Sequence, residues 1–103
     1  MKDEIFSSLQ KASLKISPEF AGSFQVTKPQ DSLHGDWSSN IALIMAKEMK
    51  KNPRELADEI ISALEELYYS KKIEVAGAGF INFFLKERKS FFILIELQLL
   101  RNI

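Results

Sequence analysis

Apolar positions recur at three- and four-residue spacing over two stretches in the first half of the chain, a pattern typical of amphipathic helices. The first stretch predicts a helix from Asp3 to about Ser17, because the proline that follows drives the preceding residue out of the helical region. The second predicts a helix that Ser38 or Ser39 caps and that runs to about Lys51. Each helix should bury one apolar stripe.

A third helix has the clearest start signal in the chain. Asn52 is the predicted N-cap, Pro53 takes the first helical position, and Glu55 can close a capping box. The opposite side of this helix is acidic, which disfavours that side as a contact for phosphate. Its wide apolar stripe consists of Leu56, Ala57, Ile60, Ile61, Leu64 and Leu67.

Alternation of apolar and polar residues predicts three strands. The stretch Phe24–Lys28 alternates and ends at Pro29, which cannot donate to a sheet ladder. The stretches Ile73–Val75 and Phe80–Leu85 predict a hairpin around a Gly-Ala-Gly turn. The polar, turn-rich residues 29–40 predict a loop.

The second strand of the hairpin carries different side chains on its two faces. Strand side chains alternate, so Ile81 and Phe83 point one way and Phe80 and Asn82 the other. The first face is purely apolar and belongs on the core, beneath the helices. The predicted core comprises Phe24, Val26, Leu56, Ile60, Leu64, Ile73, Val75, Ile81, Phe83 and Leu85.

The order of these elements predicts an α+β fold. We expect a small antiparallel sheet of three to four strands with about four α-helices packed mainly on one face. The fourth helix is residues 87–103, which are apolar on nearly every side between Phe91 and Leu100. Such a helix is normally buried on more than one side, so it should pack on another domain or a second copy of the chain. The 103 residues suit a single domain.

Composition narrows the function classes. Fourteen basic and fourteen acidic residues give zero net charge, so any nucleic-acid binding must use a local patch. The absence of cysteine excludes disulfides and thiolate metal sites. The N-terminus lacks a secretory pattern, and the longest apolar stretch is about half of a membrane span. These features predict a cytoplasmic protein with no membrane partner.

Phe80 and Asn82 allow two interpretations. They can belong to a buried central strand, which the residues alone favour because strand aromatics are usually core residues. They can also read a nucleobase, by stacking on the ring and by hydrogen bonds from the amide. Gly77 and Gly79 do not form a dinucleotide fingerprint, because the third glycine is missing and a strand follows. They should supply positive φ in the turn and allow a close approach to its backbone.

Two other clusters carry weaker signals. His34 lies near Asp31 and Asp36, but one imidazole and two carboxylates in a loop are poor grounds for a metal site. Trp37 should anchor that loop on the core. Lys47, Lys50, Lys51 and Arg54 collect where the second helix ends; they can complement its dipole, the favoured interpretation, or contact phosphate.

Three stretches together resemble the N-terminal additional domain of arginyl-tRNA synthetases. Gly35-Asp36-Trp37-Ser38-Ser39-Asn40-Ile41-Ala42 is similar to the family's Gly-Asp-aromatic-x-x-Asn-x-Ala motif, and Asn52-Pro53-Arg54-Glu55-Leu56-Ala57 to the segment after it. Residues 75–85 are similar to a Val-Ala-Gly-Pro-Gly-Phe-Ile-Asn-Phe signature, with alanine at position 78 where the family often has proline. The match covers roughly residues 26–85 and is less clear after Arg88.

The resemblance implies a domain that binds the tRNA elbow and recognises a D-loop base, with tRNA(Arg) and the synthetase's catalytic domain as partners. Phe80 and Asn82 match the family's Phe-x-Asn pair that contacts this base. Gly77, Gly79, Lys28 and Lys86 are further candidate RNA-binding residues, the lysines through phosphate.

Catalysis should lie outside this chain. The His-Ile-Gly-His and Lys-Met-Ser-Lys-Ser signatures of class I synthetases are absent, so we expect no catalytic residue, no metal and no cofactor in this domain. The resemblance implies that ATP and magnesium serve the parent ligase, towards whose catalytic domain residues 87–103 would lead. The alternative is a protein–protein interaction module that uses the apolar last helix, with self-association through it. A titration with tRNA separates the two.

Overall fold

The structure, a computed structural model, describes residues 2–64 and 70–86. Its elements in chain order are α1 (Lys2–Ile16), β1 (Val26–Thr27), a short 3₁₀ helix (Ser32–His34), β2 (Trp37–Ser39), α2 (Ile41–Met49), α3 (Pro53–Ala63), β3 (Ser70–Ala76) and β4 (Phe80–Leu85). The four strands form one antiparallel sheet in the order β1-β2-β4-β3. The predicted α+β fold is confirmed, whereas the predicted helix over 87–103 lies outside the described residues. No helix in the described ranges is long and apolar enough to cross a bilayer.

The core lies between the helices and one face of the sheet. Ile81 and Phe83 are fully buried there, which confirms the predicted register of β4. The helices contribute Ile5 and Leu9 from α1, Ile41 and Met45 from α2, and Leu56 and Ile60 from α3. Phe24 and Val26 are buried as predicted, whereas the other four predicted core residues are partly buried and pack against this cluster: Leu64, Ile73, Val75 and Leu85. Three of them lie on β3 at the sheet edge or at the end of β4, where fewer neighbours cover them.

The predicted loop over residues 29–40 is wrong in its second half, because Trp37–Ser39 forms strand β2 between β1 and β4. Gly35 and Asp36 bring this segment against β4. The Asp36 N–H donates to the Phe83 carbonyl at 2.8 Å, and the Asp36 Oδ2 accepts from the Leu85 N–H at 2.8 Å. A carboxylate therefore extends the ladder where the short strand ends, and tertiary contact rather than alternation specifies β2.

We expect replacement of Asp36 by alanine to lower the free energy of unfolding by about 0.5–1.5 kcal/mol, the usual net worth of one hydrogen bond. Asp36→Asn is the matched control, because its amide oxygen can still accept from the Leu85 N–H and should keep most of that stability. Urea denaturation of both variants measures the difference. Equal losses in the two variants would mean that the negative charge, and not the acceptor, stabilises this corner of the sheet.

The two helix starts show one correction and one confirmation. The N-cap residue of α2 is Asn40 and not Ser38 or Ser39, and its side chain does not cap the helix. The Asn40 side chain instead accepts from the Gln25 N–H at 2.8 Å and so fixes the segment that precedes β1. The Ser39 hydroxyl accepts from the Ile41 N–H at 3.2 Å instead. The predicted start of α3 is confirmed: the Asn52 side chain accepts from the N–H groups of residues 54 and 55, and Pro53 opens the helix. Of the predicted strand 24–28, only Val26–Thr27 pairs.

Candidate nucleic-acid interface

Strand β4 presents Phe80 and Asn82 on the sheet face away from the helices. Both residues alternate with Ile81 and Phe83, which are fully buried against the helices. Phe80 is 43% exposed, whereas Asn82 is only 3% exposed, so the ring is half-exposed and the amide is nearly buried. Asn82 lies between Ser38 on β2 and Glu74 on β3, and the sequence predicted a loop where β2 forms.

A pocket of about 290 Å³ opens on this outer face. Its lining combines the two predicted residues with side chains from β1, β2 and the loop between them: Thr27, Pro29, His34, Ser38, Ala76, Gly77, Phe80 and Asn82. Register places Thr27, Ser38 and Asn82 in one row across three strands, because Thr27 pairs with Ser38 and Ser38 with Asn82. This row supplies polar, uncharged groups to a pocket that is otherwise mainly apolar, and the pocket volume lies at the low end for ligand pockets.

The side-chain amide of Asn82 has no hydrogen-bond partner within the described ranges 2–64 and 70–86. The carboxylate of Glu74, beside it on β3, is instead paired with Lys72 at 3.0 Å. Burial of an amide without a hydrogen-bond partner costs about 1–3 kcal/mol of folding free energy. The donors and the acceptor of Asn82 remain available to a group that enters the pocket.

Of the two aromatic rings on this face, Phe80 is the one that remains open. The Lys72 Nζ lies 4.4 Å from the centroid of the Phe84 ring and so covers that ring with a cation. The Phe80 ring stands at the start of β4, next to the turn, and borders the pocket. A planar ligand can therefore stack on Phe80 while its edge reaches Asn82.

The turn glycines are explained by the backbone and by α3. Gly77 and Gly79 have φ of 56° and 143°, values that side-chain-bearing residues rarely adopt. A Cβ on Gly79 would lie 2.8 Å from the Cβ of Pro53, and the Arg54 guanidinium donates to the Gly77 carbonyl. The expected positive φ and close approach are confirmed, and the helix start thereby fixes the turn that carries Phe80.

The two candidate lysines lie at different distances from the pocket. Lys28 follows the pocket residue Thr27 directly, is exposed, and has its Nζ 5.6 Å from the centroid of the Trp37 ring. Lys86 is also exposed but comes after the end of β4, six residues beyond Phe80, which is about 20 Å along an extended strand. Neither lysine is among the residues that line the pocket: the Lys28 ammonium lies over Trp37, which packs against the core, and Lys86 lies at the other end of β4.

His34 has a place in the pocket lining that sequence reasoning missed, because it considered this residue only as a metal ligand. The neighbouring carboxylates are occupied: the Asp31 Oδ1 accepts from the Leu33 N–H at 2.9 Å, and Asp36 bonds Leu85. Among residues 2–64 and 70–86, no group of three or more histidine, cysteine, aspartate or glutamate side chains could hold a metal ion. The pocket residue Ser38 could not be predicted because strand β2 was not predicted, whereas alternation along β1 predicts that Thr27 faces outward. Trp37 packs against the core as expected.

Comparison with known proteins places these features in a family. Residues 1–85 match the family model described as the arginyl tRNA synthetase N terminal domain. The chain is 41% identical over 88 residues to the arginine–tRNA ligase of Psychrobacter cryohalolentis, covering 85% of the chain and 14% of the ligase. It is 42% identical over 93 residues to the ligase of Shewanella loihica, covering 84% and 16% respectively. The chain thus spans a small part of the length of these relatives.

Solved structures share the fold. The arginyl-tRNA synthetase of Plasmodium falciparum matches 85% of the chain and 16% of its own length with a TM-score of 0.75 at 22% identity. The Thermus thermophilus arginyl-tRNA synthetase matches 84% of the chain and 14% of its own length with a TM-score of 0.66 at 24% identity. At such identities the likeness concerns the arrangement of helices and strands.

Proposed function

The chain belongs to the arginyl-tRNA synthetase N-terminal domain family, and from this premise we propose that it is the part of an arginine–tRNA ligase that binds the elbow of tRNA(Arg) and reads one D-loop base. The domain itself is non-catalytic. Activation of arginine, with ATP and magnesium, belongs to the remainder of such a ligase, which acts in the cytoplasm with its tRNA. The catalytic domain of that ligase is the second partner.

One observation carries this proposal: the nearly buried Asn82 amide, which has no hydrogen-bond partner among the described residues, lines a pocket beside the half-exposed ring of Phe80. Proteins usually obtain sequence-specific contact with RNA by stacking an unpaired base on an aromatic ring and bonding its edge. The pocket offers both contacts within two residues of one strand. A rigid strand holds them at a fixed separation, which favours recognition of one base over a general affinity for RNA.

Phosphate contacts should position the RNA without selecting its sequence. Lys28 is a candidate for this task because it follows the pocket residue Thr27 in the chain and forms no ion pair with a carboxylate in the described part of the chain. The proposal includes no comparable role for Lys86 at the pocket, given its distance along β4. With zero net charge on the whole chain, such local cations supply the electrostatic attraction.

A titration of the 103-residue chain with tRNA(Arg) transcripts tests the proposal. One transcript is unaltered, and in each of the others a single unpaired D-loop base is changed. We expect salt-dependent binding that weakens when one particular D-loop base is changed. Phe80→Leu keeps apolar bulk but removes the stacking face, and it should weaken binding to the unaltered transcript about fivefold, or about 1 kcal/mol.

Two results would contradict this function. Equal affinity for every D-loop transcript would show that the domain does not read a D-loop base. Failure to bind any tRNA would favour the alternative of a protein–protein module. That alternative depends on the apolar residues 91–100, which lie outside the described residues. Gel filtration at increasing protein concentration, run in parallel, detects the self-association which that module predicts.

A further inference from the structure

The junction between α2 and α3, residues 50–54, lies against the hairpin turn that borders the pocket. Gly79 lacks a Cβ where one would come within 2.8 Å of Pro53, and the Arg54 guanidinium bonds the carbonyl of Gly77, itself a pocket residue. The β3–β4 turn carries the pocket's wall on one side, while Thr27 on β1 carries it on the other.

This junction, which we call the α2–α3 corner, is rich in exposed positive charge. Lys50, Lys51 and Arg54 are all exposed. Lys50 adopts a left-handed conformation with φ of 54° that stops α2, so the chain turns sharply and the three cations follow one another closely. In residues 2–64 and 70–86 the single ion pair joins Lys72 and Glu74, so none of these cations is neutralised by a carboxylate there.

Arg54 retains binding capacity after its contact with the turn. A guanidinium has five N–H donors, and the observed bond to the Gly77 carbonyl uses one nitrogen, Nη1. The backbone N–H of Arg54 is separately satisfied by the Asn52 side chain. The guanidinium is thus oriented by the turn, and its other donors can bind an anion in a fixed direction, which suits the fork geometry of an arginine–phosphate contact.

We propose that the α2–α3 corner binds the RNA backbone beside the pocket, with Arg54 as the phosphate-contacting residue and Lys50 and Lys51 as supporting charges. This inference rests on the proposed function, since it supplies the backbone contact for the nucleotide whose base enters the pocket. The corner then supplies a phosphate contact on the turn side of the base site.

A purely structural role for Arg54, as a clamp on the turn, predicts different results, and two variants separate the roles. Arg54→Gln keeps a hydrogen-bond donor, at a shorter reach, but removes the charge. Arg54→Lys keeps the charge but loses the guanidinium fork. Lys11→Gln on the exposed side of α1 is the matched control for the loss of one positive charge, because Lys11 lies outside the corner and the pocket lining.

The measurement is the affinity of the 103-residue chain for the unaltered tRNA(Arg) transcript across a range of salt concentrations. Loss of one phosphate contact should flatten the slope of log K against log[salt] by about 0.7–0.9. We expect this flattening in Arg54→Gln, a slope near that of the unmodified chain in Arg54→Lys, and no change in Lys11→Gln. An unchanged slope in Arg54→Gln, or an equal flattening in Lys11→Gln, would overturn the inference.

The D-loop transcripts keep this inference distinguishable from the proposed function. Arg54→Gln should weaken binding by the same factor on every transcript, because phosphate contacts carry no sequence information. If the unmodified chain discriminates between D-loop bases while Arg54→Gln keeps its salt slope, the inference about the corner is wrong and the base-reading function stands. If the unmodified chain does not discriminate, the base-reading function fails whatever the corner does.

Discussion

Replacement of Gly35 by alanine should lower the free energy of unfolding by about 2–5 kcal/mol. Gly35 has a φ of 96°, a left-handed conformation that costs a side-chain-bearing residue about 1–2 kcal/mol. A Cβ at this position would also lie 2.7 Å from the Phe83 carbonyl oxygen and 3.2 Å from its carbon. Overpacking of this kind costs about 1–3 kcal/mol, and here the obstacle is backbone in the central strand, which cannot move aside.

Gly77→Ala is the control that separates strain from collision. Gly77 also has a positive φ, 56°, but a Cβ there would meet nothing nearer than a Phe80 ring carbon at 3.9 Å. Gly77→Ala should therefore lower the free energy of unfolding only by the cost of the left-handed conformation, about 1–2 kcal/mol. Urea denaturation of both variants, followed by circular dichroism, gives the comparison. Equal losses would show that the close approach of residue 35 to β4 contributes nothing to stability.

Replacement of Asn82 by alanine should weaken binding of tRNA(Arg) by about 1–3 kcal/mol, the scale of one good base contact. The loss should be largest on the transcript with the preferred D-loop base and small on the transcript in which that base is changed. Stability should respond in the opposite sense. Since the buried amide has no protein partner in the described part of the chain, alanine should leave the free energy of unfolding unchanged or slightly raise it.

A double-mutant cycle between residue 82 and the D-loop base measures the coupling directly. Gln25→Ala is the matched control, because Gln25 is an exposed amide that does not line the pocket, and it should bind all transcripts as the unmodified chain does. If Asn82→Ala lost the same amount on both transcripts, Asn82 would be structural and base reading by this residue would be abandoned. A marked loss of stability in Asn82→Ala would point the same way.

Sequence periodicity was sufficient for the parts of the fold that local pattern determines. The α3 start follows from Asn52 and Pro53, whose capping role depends on adjacent residues alone. The face of Ile81 follows from alternation once the hairpin is recognised. Strand β2 could not be found in this way, because three residues are too few to show a period and its pairing depends on Gly35 and Asp36 meeting a strand nearly fifty residues later.

The candidate site was predictable to the same extent. Phe80 and Asn82 share a face by alternation and match a family signature, so the pair could be named in advance. The burial of Asn82 could not be predicted, because its neighbour Ser38 lies on strand β2, which the sequence did not reveal. Arg54 was assigned to the helix dipole for a related reason: its proximity to the pocket arises from a contact with Gly77, 23 residues away in sequence.

The position of β4 at the centre of the sheet affects how the chain folds during synthesis. Helices α1, α2 and α3 and strands β1 and β2 all precede it in sequence, yet both β2 and β3 pair with it. At about 5–20 residues per second, ribosomal synthesis takes about 2–8 s to proceed from Ser39 to Phe80. During this interval the helices have no Ile81 or Phe83 to pack against, and β2 has a bare edge. The nascent chain therefore exposes apolar surface until β4 is translated, and this interval is the period in which a chaperone at the ribosome would have most surface to bind.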